Sequence, residues 1–204
     1  MNRELAMKVA DAVLYEGYML YPYRRSALKN RQRWSFGILY PPGYDEVSGG
    51  TERSSMHSEC LLWKTGETSL HLQLRFLHLV TRKQKLESVE ESWDEGIPRS
   101  VEHAILLDAI QPHRINFGFP GSNTLDPHQS ILSTQYPIHG TVTTIVEAPD
   151  HNLLKLSIDV ANETGFAEND GDRDSALLRS LLSAHLILST EMGGFVSLLR
   201  IVGQ

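Results

Sequence analysis

The alternation of apolar and polar positions predicts a mostly β chain with a helix near each end. Over residues 3–16, Leu5, Val9, Ala12 and Val13 recur at helical spacing, Asn2 is an N-cap, Glu4 lies in the first turn and Gly17 is a stop. Tyr21-Pro22 then imposes an extended or turn conformation. Residues 34–40 predict a strand closed by Pro41-Pro42-Gly43, residues 43–55 a Gly- and Ser-rich loop, and residues 56–64 a second strand. Residues 70–80 alternate most cleanly, with Leu70, Leu72, Leu74, Phe76 and Val80 on one face and His71, Gln73 and Arg75 on the other.

Residues 82–95 hold a basic cluster and then an acidic one, Glu87, Glu90, Glu91, Asp94 and Glu95. Residues 101–110 read as strand in preference to short helix, and residues 114–119 run into the turn signal Pro120-Gly121. A Thr/Val-rich strand over 136–147, a turn over 148–152 and an alternating strand over 153–162 follow, the last with Leu154, Leu156, Ile158 and Val160 inward. Residues 175–188 predict a second helix, apolar on most sides and therefore packed. Gly193-Gly194 turns the chain into a final apolar strand. Spaced alternating strands favour a sandwich or barrel over a parallel sheet. The expectation is mainly β (α+β): one antiparallel β-sandwich-like domain over 1–204, with an N-terminal helix (3–16), a β-rich body (33–162) and a C-terminal helix and strand (175–202).

Composition narrows the function classes. A chain of 204 residues is long enough for one domain with a sizeable core. A net charge of -6 argues against broad nucleic-acid binding. No apolar run approaches the ~20 residues that cross a bilayer, so no membrane insertion is expected. The first residues mix acids and bases without a continuous apolar core, so no signal peptide is expected. Cys60 is the only cysteine, which excludes an internal disulfide and fits a reducing, cytoplasmic setting. Asn162-Glu163-Thr164 matches a glycosylation sequon, which has meaning only on a secretory route.

The stretch from Tyr15 to Pro42 is the most distinctive chemistry. It interleaves seven rings (among them Tyr21, Tyr23 and Trp34) with Arg24, Arg25, Lys29, Arg31 and Arg33. Two readings stay open: rings packed in the core with solvated cations around them, or a docking surface for an acidic partner, phosphate or carboxylate. On the second, Tyr21, Tyr23 and Trp34 are ring anchors, Arg24, Arg25, Lys29 and Arg33 cationic contacts, and Asn30 an orienting amide.

Other constellations are weaker. Nine histidines raise a metal, yet no HxH or HExxH spacing completes a site. His57 and Glu59 share a strand face, and His78 falls on an apolar one. Residues 170–174 resemble the start of a calcium loop, but Ser175 stands where glycine is required and Leu181 where the bidentate glutamate belongs, so a helix-capping loop is expected. No GxSxG elbow is present, and Cys60 sits in an apolar run as a buried, inert thiol. His185 reads as a packing residue with a polar partner. No cofactor is implied and no catalytic residue is named.

The stretch ADAVLYEGYMLYPYRRSALKNRQRWSFGILYPP resembles the opening of an uncharacterised protein family encoded in actinobacterial-type uptake nickel–iron hydrogenase gene clusters. The matching positions are Val9 to Arg24, Ser26, Lys29-Asn30, Arg33-Trp34, Phe36-Gly37 and Pro41-Pro42. Weaker echoes are Glu59-Cys60-Leu61-Leu62, Leu74-Arg75-Phe76-Leu77, residues 156–164, residues 180–188 and residues 193–199. The resemblance implies an accessory role in hydrogenase assembly, maturation or complex formation, and no catalytic residues. The leading expectation is a cytoplasmic, non-catalytic scaffold that binds a partner protein, a hydrogenase subunit or maturation factor. The alternative is a metal-binding protein or enzyme using His57, Glu59 and His78. A third is a small-ligand binder with its pocket between the sheets.

Overall fold

A computed structural model describes residues 3–16, 37–86, 89–107, 112–128, 130–167 and 172–197. Helices α1 (Arg3–Glu16) and α2 (Pro42–Val47) precede strands β1 (Ser55–Lys64), β2 (Ser69–Leu86), β3 (Val89–Leu106), β4 (His113–Phe119), β5 (Ser122–Asp126), β6 (Ile131–Gln135), β7 (Ile138–Asp150) and β8 (Leu153–Asn162). Helix α3 (Arg173–Leu177) and strands β9 (Leu182–Thr190) and β10 (Gly193–Phe195) follow. The described strands form two antiparallel sheets. One runs β10-β1-β8-β7-β4; the other runs β3-β2-β6-β5, with β9 also pairing β2.

The sheets pack face to face. Leu72, Leu74 and Phe76 of β2 meet Ile138 and Val142 of β7 and Ile158 and Val160 of β8 in one buried cluster. This is the inward row that period-two alternation selects. Phe117 and Phe119 of β4 close its side, with the Phe119 ring edge-on to Phe76 at 5.6 Å. Gly140 makes that closure possible: a Cβ there would lie 2.4 Å from the Phe117 ring and 2.6 Å from the Ala161 carbonyl. A second cluster lies on the opposite face of β2, where Leu77 and Leu79 are covered by Leu14 of α1, Tyr40, and Ala176 and Leu177 of α3.

Strands β2 and β3 pair over their full length as one long hairpin. In this register Arg82 reaches Glu95 in an ion pair, and Thr81 donates to its cross-strand partner Asp94 at 2.7 Å. Opposite charges across an antiparallel pair favour this register.

Several expectations are corrected. The helix expected over 175–188 is confined to α3, which Asp172 caps by accepting a hydrogen bond from the Ser175 amide at 3.2 Å. Residues 182–190 are strand, because β2 offers them an edge: Leu72 pairs with Leu188 and Leu74 with Leu186. A short apolar run fits either element, and the partner decides. The N-terminal helix is present, but its packed face is Ala10 and Leu14, while Leu5 and Val9 are each 55% exposed. Residues 42–47, inside the expected turn and loop, form α2 with proline in its first turn. The strand expected over 34–40 begins outside the described residues; its described end contributes a single bridge, Leu39 to Leu181. The final strand is described only as β10. No helix among the described residues is long and apolar enough to cross a membrane.

Candidate functional site

The eight residues that sequence selects for partner contact, Tyr21, Tyr23, Arg24, Arg25, Lys29, Asn30, Arg33 and Trp34, lie outside the described residues. Their flanks are well defined. On the N-terminal side, Leu14 is fully buried and Tyr15 packs beside it. On the C-terminal side, the Gly37 carbonyl accepts from the Ala184 amide at 2.8 Å, and Leu39 exchanges two backbone hydrogen bonds with Leu181. Buried Asn162 adds a third tie. Its Nδ2 donates to the carbonyls of Leu39 and Arg179, both at 2.9 Å, and its Oδ1 accepts from the Thr164 amide. The sequon asparagine is thus a core clamp, 2% exposed.

Tyr40, next to the C-terminal flank, joins an assembly of rings and guanidinium groups. Tyr40 and Tyr44 lie 5.1 Å apart, and Tyr44 meets Phe166 edge-on at 5.7 Å. The Arg179 guanidinium stacks over Tyr136 at 4.1 Å and Phe166 at 5.7 Å; Arg173 lies over Tyr40 at 5.9 Å. Cation–π contacts of this kind hold a flexible arginine in place. Burial pushes the Tyr40 hydroxyl up to about 12, so it stays protonated. Tyr15 and Tyr40, at the two ends of the Tyr/Arg stretch, follow the packing reading. Sequence reasoning missed Tyr44, Tyr136, Phe166, Arg173 and Arg179. They come from separate elements, and no local pattern links them.

Of the histidine and carboxylate candidates, His57 and Glu59 are neighbours and His78 lies apart. His57 and Glu59 share the outer face of β1, where the His57 Nδ1–H donates to Asp159 Oδ1 at 2.7 Å and Nε2 lies 3.6 Å from Glu59. Glu59 also binds Lys155 at 2.6 Å, and Lys155 lies 3.6 Å from Glu147. Its hydrogen bond to Asp159 raises the His57 pKa, and the bond to Lys155 lowers that of Glu59. His78 belongs to the other sheet. It is fully buried, and its Nε2–H donates to the Tyr136 carbonyl at 2.9 Å. Burial lowers its pKa to about 4, leaving a neutral ring. Among the described residues, no group of three His, Cys, Asp or Glu side chains is placed to hold a metal ion.

The remaining chemistry is quiet. Cys60 is half-buried, and burial raises its thiol pKa, the opposite of an activated nucleophile. His185 sits on β9 and donates through Nδ1 to the Ser183 carbonyl at 2.8 Å. No protein-family model matches the chain, and no curated protein matches it.

Proposed function

We propose that the chain is a non-catalytic accessory or scaffold protein that binds a partner protein through the Tyr/Arg stretch, in the setting of nickel–iron hydrogenase assembly or maturation in the cytoplasm. The observation that supports this reading is the anchoring of the stretch. Tyr15 and Tyr40, near its two ends, pack with Leu14 in one hydrophobic cluster on the outer face of the second sheet. The two described ends of the stretch therefore share one hydrophobic base. Arginine and aromatic side chains supply the contacts most enriched in binding hot spots.

The test is a pull-down with tagged protein from the native organism, read by mass spectrometry, beside an Arg24→Glu/Trp34→Ala double variant. The wild type is expected to recover hydrogenase subunits or maturation factors. The double variant is expected to lose them at an unchanged unfolding midpoint. An unfolded double variant favours the packing reading of the stretch, and recovery of no such partner by the wild type overturns the proposal.

A further inference from the structure

One end of the sandwich gathers four chain connections. The β1–β2 loop (65–68), the β7–β8 turn (151–152), the β9–β10 turn (191–192) and Leu107 after β3 meet there. Three backbone hydrogen bonds tie them: Lys64 amide to Asn152 carbonyl at 2.9 Å, Thr65 amide to Met192 carbonyl at 3.3 Å, and Leu107 amide to Thr68 carbonyl at 2.9 Å. Between them lies an open groove of about 560 Å³. A site fixed by backbone bonds is preformed, which lowers the cost of binding.

The groove combines a half-exposed tryptophan with polar side chains that have no partner among the described residues. Trp63 lines it and is 47% exposed. The residue opposite Trp63 on β10 is Gly194, and cross-strand partners share a face of the sheet. A Cβ at Gly194 would meet nothing within 4 Å, so a shelf stands open on that flank of the tryptophan. Around the groove, the side chains of Lys64, Thr65, Glu67 and Asn152 make no hydrogen bond or ion pair with the described residues. Further along the same face of β1 the pattern differs, since His57, Glu59, Lys155 and Asp159 are all paired there.

We propose that this groove binds a neutral saccharide. An exposed indole takes the C–H face of a sugar ring, as amphipathic rings do at sites with one apolar and one wet side. Donors and acceptors side by side (ammonium, hydroxyl, carboxylate and amide) match a ligand bearing many hydroxyls. Lys64 and Glu67 cancel in charge, which disfavours phosphorylated or anionic ligands. The open shape suits one unit of a glycan better than an enclosed cofactor.

The experiment is an NMR titration of the ¹⁵N-labelled full chain with maltohexaose, cellohexaose and chitohexaose, with ATP as the charged, ring-bearing control. One sugar is expected to shift the Trp63 indole N–H and the Asn152 side-chain amide saturably, with Kd of about 1 mM or tighter. Trp63→Ala is expected to abolish the shift of the Asn152 side-chain amide. Gly194→Val, which fills the shelf and leaves the ring in place, is expected to weaken binding at least tenfold without lowering the unfolding midpoint. Absence of saturable shifts with all three sugars overturns the proposal. So do sugar shifts that persist in both variants, or binding of ATP alone.

Discussion

The two histidines proposed from sequence as metal ligands sit in opposite environments, and the contrast describes the whole sandwich. His57 stands on the outer face of the first sheet, about half exposed, with Asp159 and Glu59 beside it. His78 is fully buried with one backbone carbonyl as its partner among the described residues, and its Nδ1 has none there. The same side chain is pushed toward its charged form in one place and its neutral form in the other. Water access decides the difference. Outside, a carboxylate at hydrogen-bond distance dominates; inside, desolvation does. Buried contacts therefore carry stability, and surface charge pairs carry little.

The largest effect is expected from the buried side. Phe76 fills the centre of the inter-sheet cluster against Phe117 and Phe119. Phe76→Ala should cost about 3–5 kcal/mol, read from the urea midpoint. A loss below about 1 kcal/mol would mean the sheets do not meet there.

The pH dependence comes next. The unfolded chain takes up a proton on His78 near pH 6.5, whereas the folded chain resists until about pH 4. In that window the unfolded state binds more protons, so stability falls as pH drops from 6.5 toward 4 and this contribution is constant below. Its ceiling is about 3 kcal/mol, at ~1.36 kcal/mol per pKa unit. His78→Gln keeps an N–H for Tyr136 and should flatten the wild-type slope in that window; equal slopes for the two proteins would count against a sealed neutral histidine.

A smaller effect is expected at Asn162, the clamp between the flank of the Tyr/Arg stretch and α3. Asn162→Ala removes the donor to the carbonyls of Leu39 and Arg179 and should cost about 1–3 kcal/mol. If Asn162→Ala unfolds at the wild-type midpoint, the flank of the stretch is not held by this bond.

The same inside–outside division explains what was legible in the sequence. Strands β2 and β8 were plain because one row of each is buried at period two. Strands β5 and β6 were missed because all of β5 is exposed and β6 has no alternation, so neither leaves a period to read. Strand β9 was read as helix because its apolar residues are contiguous, and only the edge of β2 chooses between the two. The exposed stripe of α1 was mistaken for its packed one because Ala10, the small residue that lets the helix approach, carries little hydrophobic signal. At the candidate site, the chemistry of the Tyr/Arg stretch was local and visible. The ring and arginine assembly around Tyr40 was not, since Tyr44, Tyr136, Phe166 and Arg179 converge only through the fold.

The smallest effect is expected on the outer face. His57→Ala should leave the unfolding midpoint unchanged within measurement, because both partners stay hydrated when the pair is broken. Its signature is spectroscopic. A bond from His57 to Asp159 at 2.7 Å raises the histidine pKa, so the pair favours folding below the unfolded value and loses that contribution as pH rises through the folded one. That slope is opposite in sign to the one at His78. Following the His57 ring protons by NMR should give a pKa above that of a free histidine, and Asp159→Asn should bring it down. A wild-type value at or below the free one would show that water, not Asp159, holds the ring, and the two histidines would no longer differ by the presence of a charged partner.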